Sequence, residues 1–301
     1  MAAVNIWLEE RDITALCTRA AVDKNLDGAG SELEVQLVWP GETGEKLGLW
    51  PGCGQWLRVE DGGETLFSGR AETLDYDAGA GKLTIAAFDP AALLARCQCY
   101  GPYVGTPADI ARALCTECGL ETGSVWPGDG EMRRLSARTG RSAFRGICQV
   151  YDGDCFVEWR GGKVHILRRG GEHAVVEGRL LLEGRSRNSA AGAVNQALVC
   201  ARGGIAGQWE DRAGRLELGL RQKTLGLEAG ELSPEEQAKA AIRGIAREGR
   251  IVLAGRSGVR CGQTVELDKP GMGLFGRYLV SETRWVCDRG KETTEMGLVS
   301  V

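Results

Sequence analysis

Histidine is almost missing from this chain, with two in 301 residues. A Ser or Cys nucleophile needs a base at its side, most often His, so only His165 and His173 are available for that role. His165 lies mid-strand between Val164 and Ile166 on the face opposite theirs, and His173 lies in a Gly-rich turn without an orienting carboxylate in any recognisable motif. No catalytic residue is expected. Long apolar runs are also absent: nothing approaches the roughly 18 consecutive apolar residues of a membrane helix. Met1 to Glu10 has no basic region followed by an apolar core, so neither membrane insertion nor export by a standard signal is expected. A positive excess is missing as well. The net charge of −4 argues against a surface built to hold nucleic acid. Gly170-Gly171 and Gly203-Gly204 lack the strand-to-helix setting and the Lys-Ser/Thr of a phosphate loop, and no cofactor is expected.

What the chain does have is glycine, 45 residues of it, spread between short apolar runs rather than gathered in a linker. That distribution reads as many tight turns between short strands. Hydrophobic residues at 43% and charged residues at 26% are those of an ordinary folded protein, and the length suits about two domains. Eleven cysteines, an odd number with no secretory signal, point to reduced thiols acting as small buried hydrophobes.

One pattern recurs across the chain. Cys53-Gly54-Gln55 followed by Leu66-Phe67 returns as Cys261-Gly262-Gln263 followed by Leu274-Phe275, at a common offset (261 − 53 = 208). Leu57 and Val59 fall on Val265 and Leu267, while Arg58 and Glu60 fall on Glu266 and Asp268, so two strands share one alternation. Gly69-Arg70 and Gly276-Arg277 follow, one residue out of that register. A duplicated β-hairpin unit accounts for this; the alternative is chance identity on shared hairpin grammar. Phe67 and Phe275 are expected either at an interface or in a core.

Strands are expected over Ile13–Cys17, Glu32–Leu37, Lys82–Ile85, Val194–Cys200 and Ile251–Ala254. Their one-sided alternation demands a barrel or a second layer. Asp89-Pro90 opens a short helix through Leu94; Thr106-Pro107 opens another that Gly119 stops; a third begins near Thr139 to Ser142 with a Phe144, Ile147, Cys148, Tyr151 stripe. Gly161-Gly162 turns a hairpin of Cys155–Arg160 and Lys163–Leu167. Ser233-Pro234-Glu235-Glu236 is a capping box opening a helix expected to run to Gly249. The fold class expected is β-rich α+β, with two similar small β-barrels, residues 1–95 and 173–301, flanking a middle α/β domain of residues 96–172.

Two constellations carry possible chemistry. Cys97, Cys99, Cys115 and Cys118 supply four thiols for tetrahedral zinc, although Cys115 and Cys118 also read as buried thiols of an apolar helix stripe and the one-residue spacing of Cys97 and Cys99 is unusual. Asp152, Asp154 and Glu158 contain the two carboxylates a glycosidase needs, while Asp152-Gly153 also reads as a plain turn.

The last third, from the Ser233 helix through Cys261-Gly262-Gln263-Thr264-Val265-Glu266-Leu267 and Gly273-Leu274-Phe275-Gly276-Arg277-Tyr278-Leu279-Val280 to a closing strand near Thr293–Leu298, resembles the end of the tail hub proteins of contractile-tail phages, PBSX-like prophages and phage-tail-like bacteriocins, the late control protein D superfamily. Phe88-Asp89-Pro90, Thr106-Pro107-Ala108-Asp109-Ile110, Cys118-Gly119-Leu120 and Ser142-Ala143-Phe144 resemble that family's central segment in the same order. Gln55 and Gln263 depart from the family's Gly-Asp, and Trp285 fills a polar aromatic position. The resemblance implies a non-enzymatic homotrimer whose two tube-like barrels per chain make a pseudo-sixfold ring between tail tube and central spike, with other baseplate parts around it and DNA only in transit. It places the protein in a virion or tailocin baseplate assembled in the bacterial host cytoplasm. A cell-wall glycan-binding module and a hub-associated peptidoglycan hydrolase are the alternatives.

Overall fold

The computed structural model describes residues 4–136, 141–176, 181–227 and 233–301. The chain begins with β1 (Val4–Leu8), β2 (Arg11–Asp12), a 3-10 turn at Thr14–Leu16 and β3 (Cys17–Asn25). The strand expected over Ile13–Cys17 is therefore a turn. Asp12 Oδ1 accepts from Thr14 N at 2.8 Å and Thr14 Oγ1 accepts from Ile6 N at 2.8 Å, local bonds that compete with a sheet ladder. Then come β4 (Ser31–Val38), a short helix α1 (Thr43–Leu47), β5 (Trp56–Asp61), β6 (Glu64–Asp77) and β7 (Lys82–Phe88). Alternation in β4 buries Leu33, Val35 and Leu37 completely, and these pack with Leu57, Val59 and Ile85 on the concave side of the sheet.

The next stretch is helical and mixed. Asp89 caps a 3-10 turn leading into α2 (Leu93–Arg96); its Oδ1 accepts from Ala91 N at 3.0 Å and its Oδ2 from Ser31 N at 2.7 Å, so one carboxylate starts the helix and ties it to β4. β8 (Pro102–Gly105) and α3 (Pro107–Glu117) follow, the latter opened by a capping box between Thr106 and Asp109. After β9 (Thr122–Val125) and β10 (Arg133–Ser136) comes α4 (Ala143–Val150), capped by Ser142; Thr139, the early limit expected for this start, lies outside the described residues. Ile147 and Tyr151 are buried as the stripe implies, Phe144 and Cys148 half-buried, and Ala143, Gly146 and Val150 complete the buried face. The expected hairpin is present as β11 (Cys155–Arg160) and β12 (Lys163–Arg168). Ile110, Leu114, Ile147, Val157 and Ile166 form its shared core with the helices.

The remainder runs β13 (His173–Ala174), β14 (Leu181–Ser189), β15 (Gln196–Ala201), β16 (Gly204–Glu210), α5 (Arg212–Leu218), β17 (Gln222–Gly226), α6 (Pro234–Ala240), β18 (Ala246–Ala254), β19 (Thr264–Lys269), β20 (Leu274–Asp288) and β21 (Lys291–Ser300). The capping box of Ser233 and Glu236 is formed, but the helix stops at Ala240 rather than Gly249. Val194 and Arg243 exchange both backbone hydrogen bonds, at 2.8 and 2.9 Å, and residues 246–249 pair with β14 as strand. Tertiary pairing overrides the helical spacing there. β15, β16 and β17 form a separate three-stranded sheet inserted between β14 and β18; the strand expected over Val194–Cys200 is its β15, while β16 and β17 were not expected.

Most strands belong to one curled sheet in which the order β3-β4-β7-β6-β5 is repeated as β14-β18-β21-β20-β19, all neighbours antiparallel. Two irregularities coincide as well. β3 skips Thr18 between Cys17 and Arg19, and β14 skips Leu182 between Leu181 and Glu183; β6 skips Glu72 opposite β7, and β20 skips Ser281 opposite β21. Shared bulges are specific features of a chain path, so the duplicated hairpin seen in sequence is part of a five-strand duplication. Gly54 and Gly262, with φ of 88° and 85°, each donate to the strand beyond (Ala71 O at 2.7 Å, Val280 O at 2.8 Å), and the Gln55 and Gln263 side chains each accept from the amide three residues back at 2.8 Å.

Registers correct two details of the repeat. Val59 faces Phe67 whereas its counterpart Leu267 faces Gly276, so the Gly-Arg steps are not equivalent. The cause is the turn: Gly62-Gly63 with a bulge after Val59 in one copy, Pro270–Gly273 in the other. For the same reason Phe67 is buried while Phe275 is 71% exposed, and Leu274 fills the core instead.

Candidate assembly interface

The two repeated strand sets meet edge to edge inside the chain. The second half of β20 pairs antiparallel with β3, from Glu282 opposite Asn25 to Asp288 opposite Arg19. Trp285, opposite Val22, is 7% exposed and packs into the core formed by β3 to β7, so a residue of the later set completes the earlier one. Arg284 and Asp23 face each other and form an ion pair at 3.4 Å. Burial raises the Asp23 carboxyl above its ordinary value, and Arg284 opposes that rise. Arg256, in the loop before β19, reaches back to Asp61 at 3.3 Å and to Glu64.

A cleft of about 880 Å³ opens at this seam, with Trp56, Trp159, Glu158 and Arg260 among the residues around it. Glu158, one of the three carboxylates singled out in sequence, is 7% exposed and stands among three cations: Lys24 at 3.5 Å, Arg260 at 3.7 Å and Arg160 at 3.9 Å. Those cations come from β3, from the loop before β19 and from the end of β11. The side chain is an electrostatic tie between the β11–β12 hairpin and both strand sets. Asp152 lies elsewhere, at a left-handed turn after α4, paired with Arg133 at 3.1 Å. Asp154 lies in the same turn.

The histidines are held by local structure. His165 Nδ1 accepts from Ser124 N at 3.1 Å, leaving Nε2 to donate to Arg160 O at 3.2 Å, and the ring covers Gly123. His173 Nδ1 lies 3.4 Å from Thr264 Oγ1, where β13 meets β19.

The four candidate metal thiols do converge. Cys118 lies close to Cys97, Cys115 and Cys99. Burial first, and the neighbouring Cys97 thiol second, push the Cys118 thiol up to about 12; burial pushes Cys115 up to about 12. Among the described residues no group of three or more His, Cys, Asp or Glu is arranged to hold a metal ion. At this seam burial favours the protonated form of Cys99, Cys115 and Cys118. The expectation that the cysteines are buried holds for Cys99, Cys115, Cys155 and Cys261, whereas Cys53 is exposed and the other six are half-buried. No described helix is long and apolar enough to cross a membrane.

No family model matches the chain, and no curated protein matches it. Solved structures do. The chain is similar to the 43 kDa tail protein of prophage MuSo2 from Shewanella oneidensis, with 16% identity and a TM-score of 0.77 over 99% of this chain and 97% of that one. It is similar to a tail protein from Neisseria meningitidis MC58, with 13% identity and a TM-score of 0.74 over 99% and 96%. A third is the E. coli c3393 protein, described as a type VI secretion component with structural similarity to the T4 tail proteins gp27 and gp5, with 9% identity and a TM-score of 0.61 over 100% and 75%. At these identities the shared property is the fold, and the fold is that of prophage tail proteins.

Proposed function

We propose that the chain is a non-enzymatic baseplate hub of a contractile phage tail or tailocin. In this reading residues 1–95 and 173–301 are two tube-like barrels and residues 96–172 a middle α/β domain. Three copies form a ring with six near-equivalent barrels, so that a sixfold tail tube sits on a threefold spike. The observation that carries the reading is the five-strand order repeated within one continuous sheet, including two bulges at matching positions. A ring needs the same contact at every step, and duplication lets three chains offer six. The similarity to prophage tail proteins supports a structural part in a tail. Net negative charge suits a lumen through which DNA passes without adhering.

Partners in this reading are the tail tube protein, the central spike and surrounding baseplate components, in a particle assembled in the bacterial host cytoplasm. Mass measurement in solution at micromolar concentration tests the proposal, with a trimer expected, and negative-stain images should show a ring. A strictly monomeric particle with no ring would overturn it.

A further inference from the structure

The internal seam has a counterpart that one chain cannot make. Superposing the repeat strand by strand places Thr73 to Asp77 of β6 on Glu282 to Val286 of β20, and Arg185 to Ser189 of β14 on Ala21 to Asn25 of β3. β20 and β3 pair with each other; the equivalent edges of β6 and β14 have no strand partner among the described residues. We propose that β6 of one copy pairs antiparallel with β14 of a second copy in the register of the internal seam, setting Asp75 opposite Arg187 and Asp77 opposite Arg185. This rests on the hub reading and specifies its contact.

Three observations carry it. The first is continuity: two open edges survive in a sheet whose other repeated edges are joined, and open edges are the natural templates for another strand. The second is charge. At the internal seam the long strand carries Arg284 and its partner Asp23; at the open edges the signs are exchanged, with Asp75 on the long strand and Arg187 on its partner. Asp75, Asp77, Arg185 and Arg187 are all exposed and have no ion-pair partner among the described residues. The exchange also rejects wrong pairings. β6 against another copy's β3 would set Asp75 on Asp23, and β14 against another copy's β20 would set Arg187 on Arg284. Like charges directly opposite one another disfavour both, so internal and intermolecular seams must alternate around the ring. The third is burial. Tyr76 is 47% exposed, whereas its counterpart Trp285 is 7% exposed because the internal seam covers it.

The test is charge reversal on the full chain, read by analytical ultracentrifugation. Asp75→Arg and Arg187→Asp should each weaken self-association at least tenfold, and the double variant Asp75→Arg/Arg187→Asp should regain it, since every seam then pairs opposite charges again. Thermal melting of the dissociated singles checks that each still folds. As a second readout on the unaltered protein, amide exchange at residues 73–77 and 183–189 should slow as concentration drives assembly. A wild-type trimer that neither single variant weakens, with those amides unprotected, overturns the seam and leaves the hub reading standing. A wild-type monomer at all concentrations overturns both.

Discussion

Gly54 and Gly262 provide a matched pair in which one backbone requirement is met in two surroundings. Both precede the first strand of the repeated hairpin at φ near +85° (88° and 85°), so a β-carbon at either incurs the left-handed penalty of about 1–2 kcal/mol. Around Gly54, its own chain neighbours apart, there is no atom within 4 Å of the position a β-carbon would take. At Gly262 that β-carbon would stand 2.5 Å from Phe156 Cζ, on the β11–β12 hairpin. Phe156 packs there with Leu26 and Cys261, a small cluster drawing on three parts of the chain. Overfilling such a site costs about 1–3 kcal/mol. Gly54→Ala is therefore expected to cost about 1–2 kcal/mol and Gly262→Ala about 2–5 kcal/mol. In differential scanning calorimetry each kcal/mol corresponds to roughly 2–4 °C for units of this size. The decisive measurement is the Phe156→Ala background, where Gly262→Ala should cost no more than Gly54→Ala does, because the steric part is gone. Equal costs for the two glycines in the unaltered chain, or no relief on removing the ring, would refute the argument that the Phe156 ring packs against only one of the two repeated glycines.

Trp285→Ala should cost about 3–5 kcal/mol, as for other buried large-to-small changes, and should speed amide exchange in β3 and β4 although Trp285 belongs to β20; unchanged exchange there would show that the strand sets are energetically independent. Glu158→Gln removes the carboxylate that Lys24, Arg160 and Arg260 share, in a site where the Lys24 and Glu158 side chains are only 13% and 9% exposed, an expected loss of about 3 kcal/mol by urea denaturation. Glu72 is held below its ordinary carboxyl value chiefly by its hydrogen bond with Arg96. A depressed folded value stabilises above the unfolded value near 4.5 and is lost as pH falls through the folded one. The pair is about a third to half exposed, so Glu72→Gln is expected to cost about 0.5 kcal/mol at pH 7 and nothing at low pH, a difference that melting at the two pH values reads directly.

Much of this architecture was legible because short-range chemistry and tertiary structure agree. The caps at Asp89, Thr106, Ser142 and Ser233 each start a helix by the local hydrogen bonds that the residue types offer. The Gly-Gln repeat was readable because a positive φ and a side-chain clamp leave residue-specific traces. The rest depends on long-range pairing. β3 has weak alternation, with Ala20-Ala21 where a strand signal should peak, and gains its place from β4 and β20 on either side. Residues 246–249 read as the end of a helix and become strand because β14, some sixty residues earlier, pairs with them. Among the candidate site residues, spacing located the four clustered thiols but could not separate a ligand set from close packing. Glu158 was singled out for acid chemistry; its three cations arrive from distant segments that no local pattern connects. The sign exchange between Arg284–Asp23 and Asp75 with Arg187 carries no signature until the strands are superposed.

The inserted sheet between β14 and β18 bears on how the chain reaches this structure. β3 and β4 are joined by a turn of five residues, whereas β14 and β18 are separated by residues 190–245. Closing so long an interval before the strands can zip is a slow, entropically opposed step for an otherwise similar unit. The mutual backbone bonds of Val194 and Arg243 clamp the base of the insertion. Once that small sheet has formed, the ends it presents are as near as those of a short hairpin, and the detour becomes kinetically cheap. The later strand set is thus expected to wait for its appendage during synthesis, while the earlier one can assemble as soon as β7 has emerged.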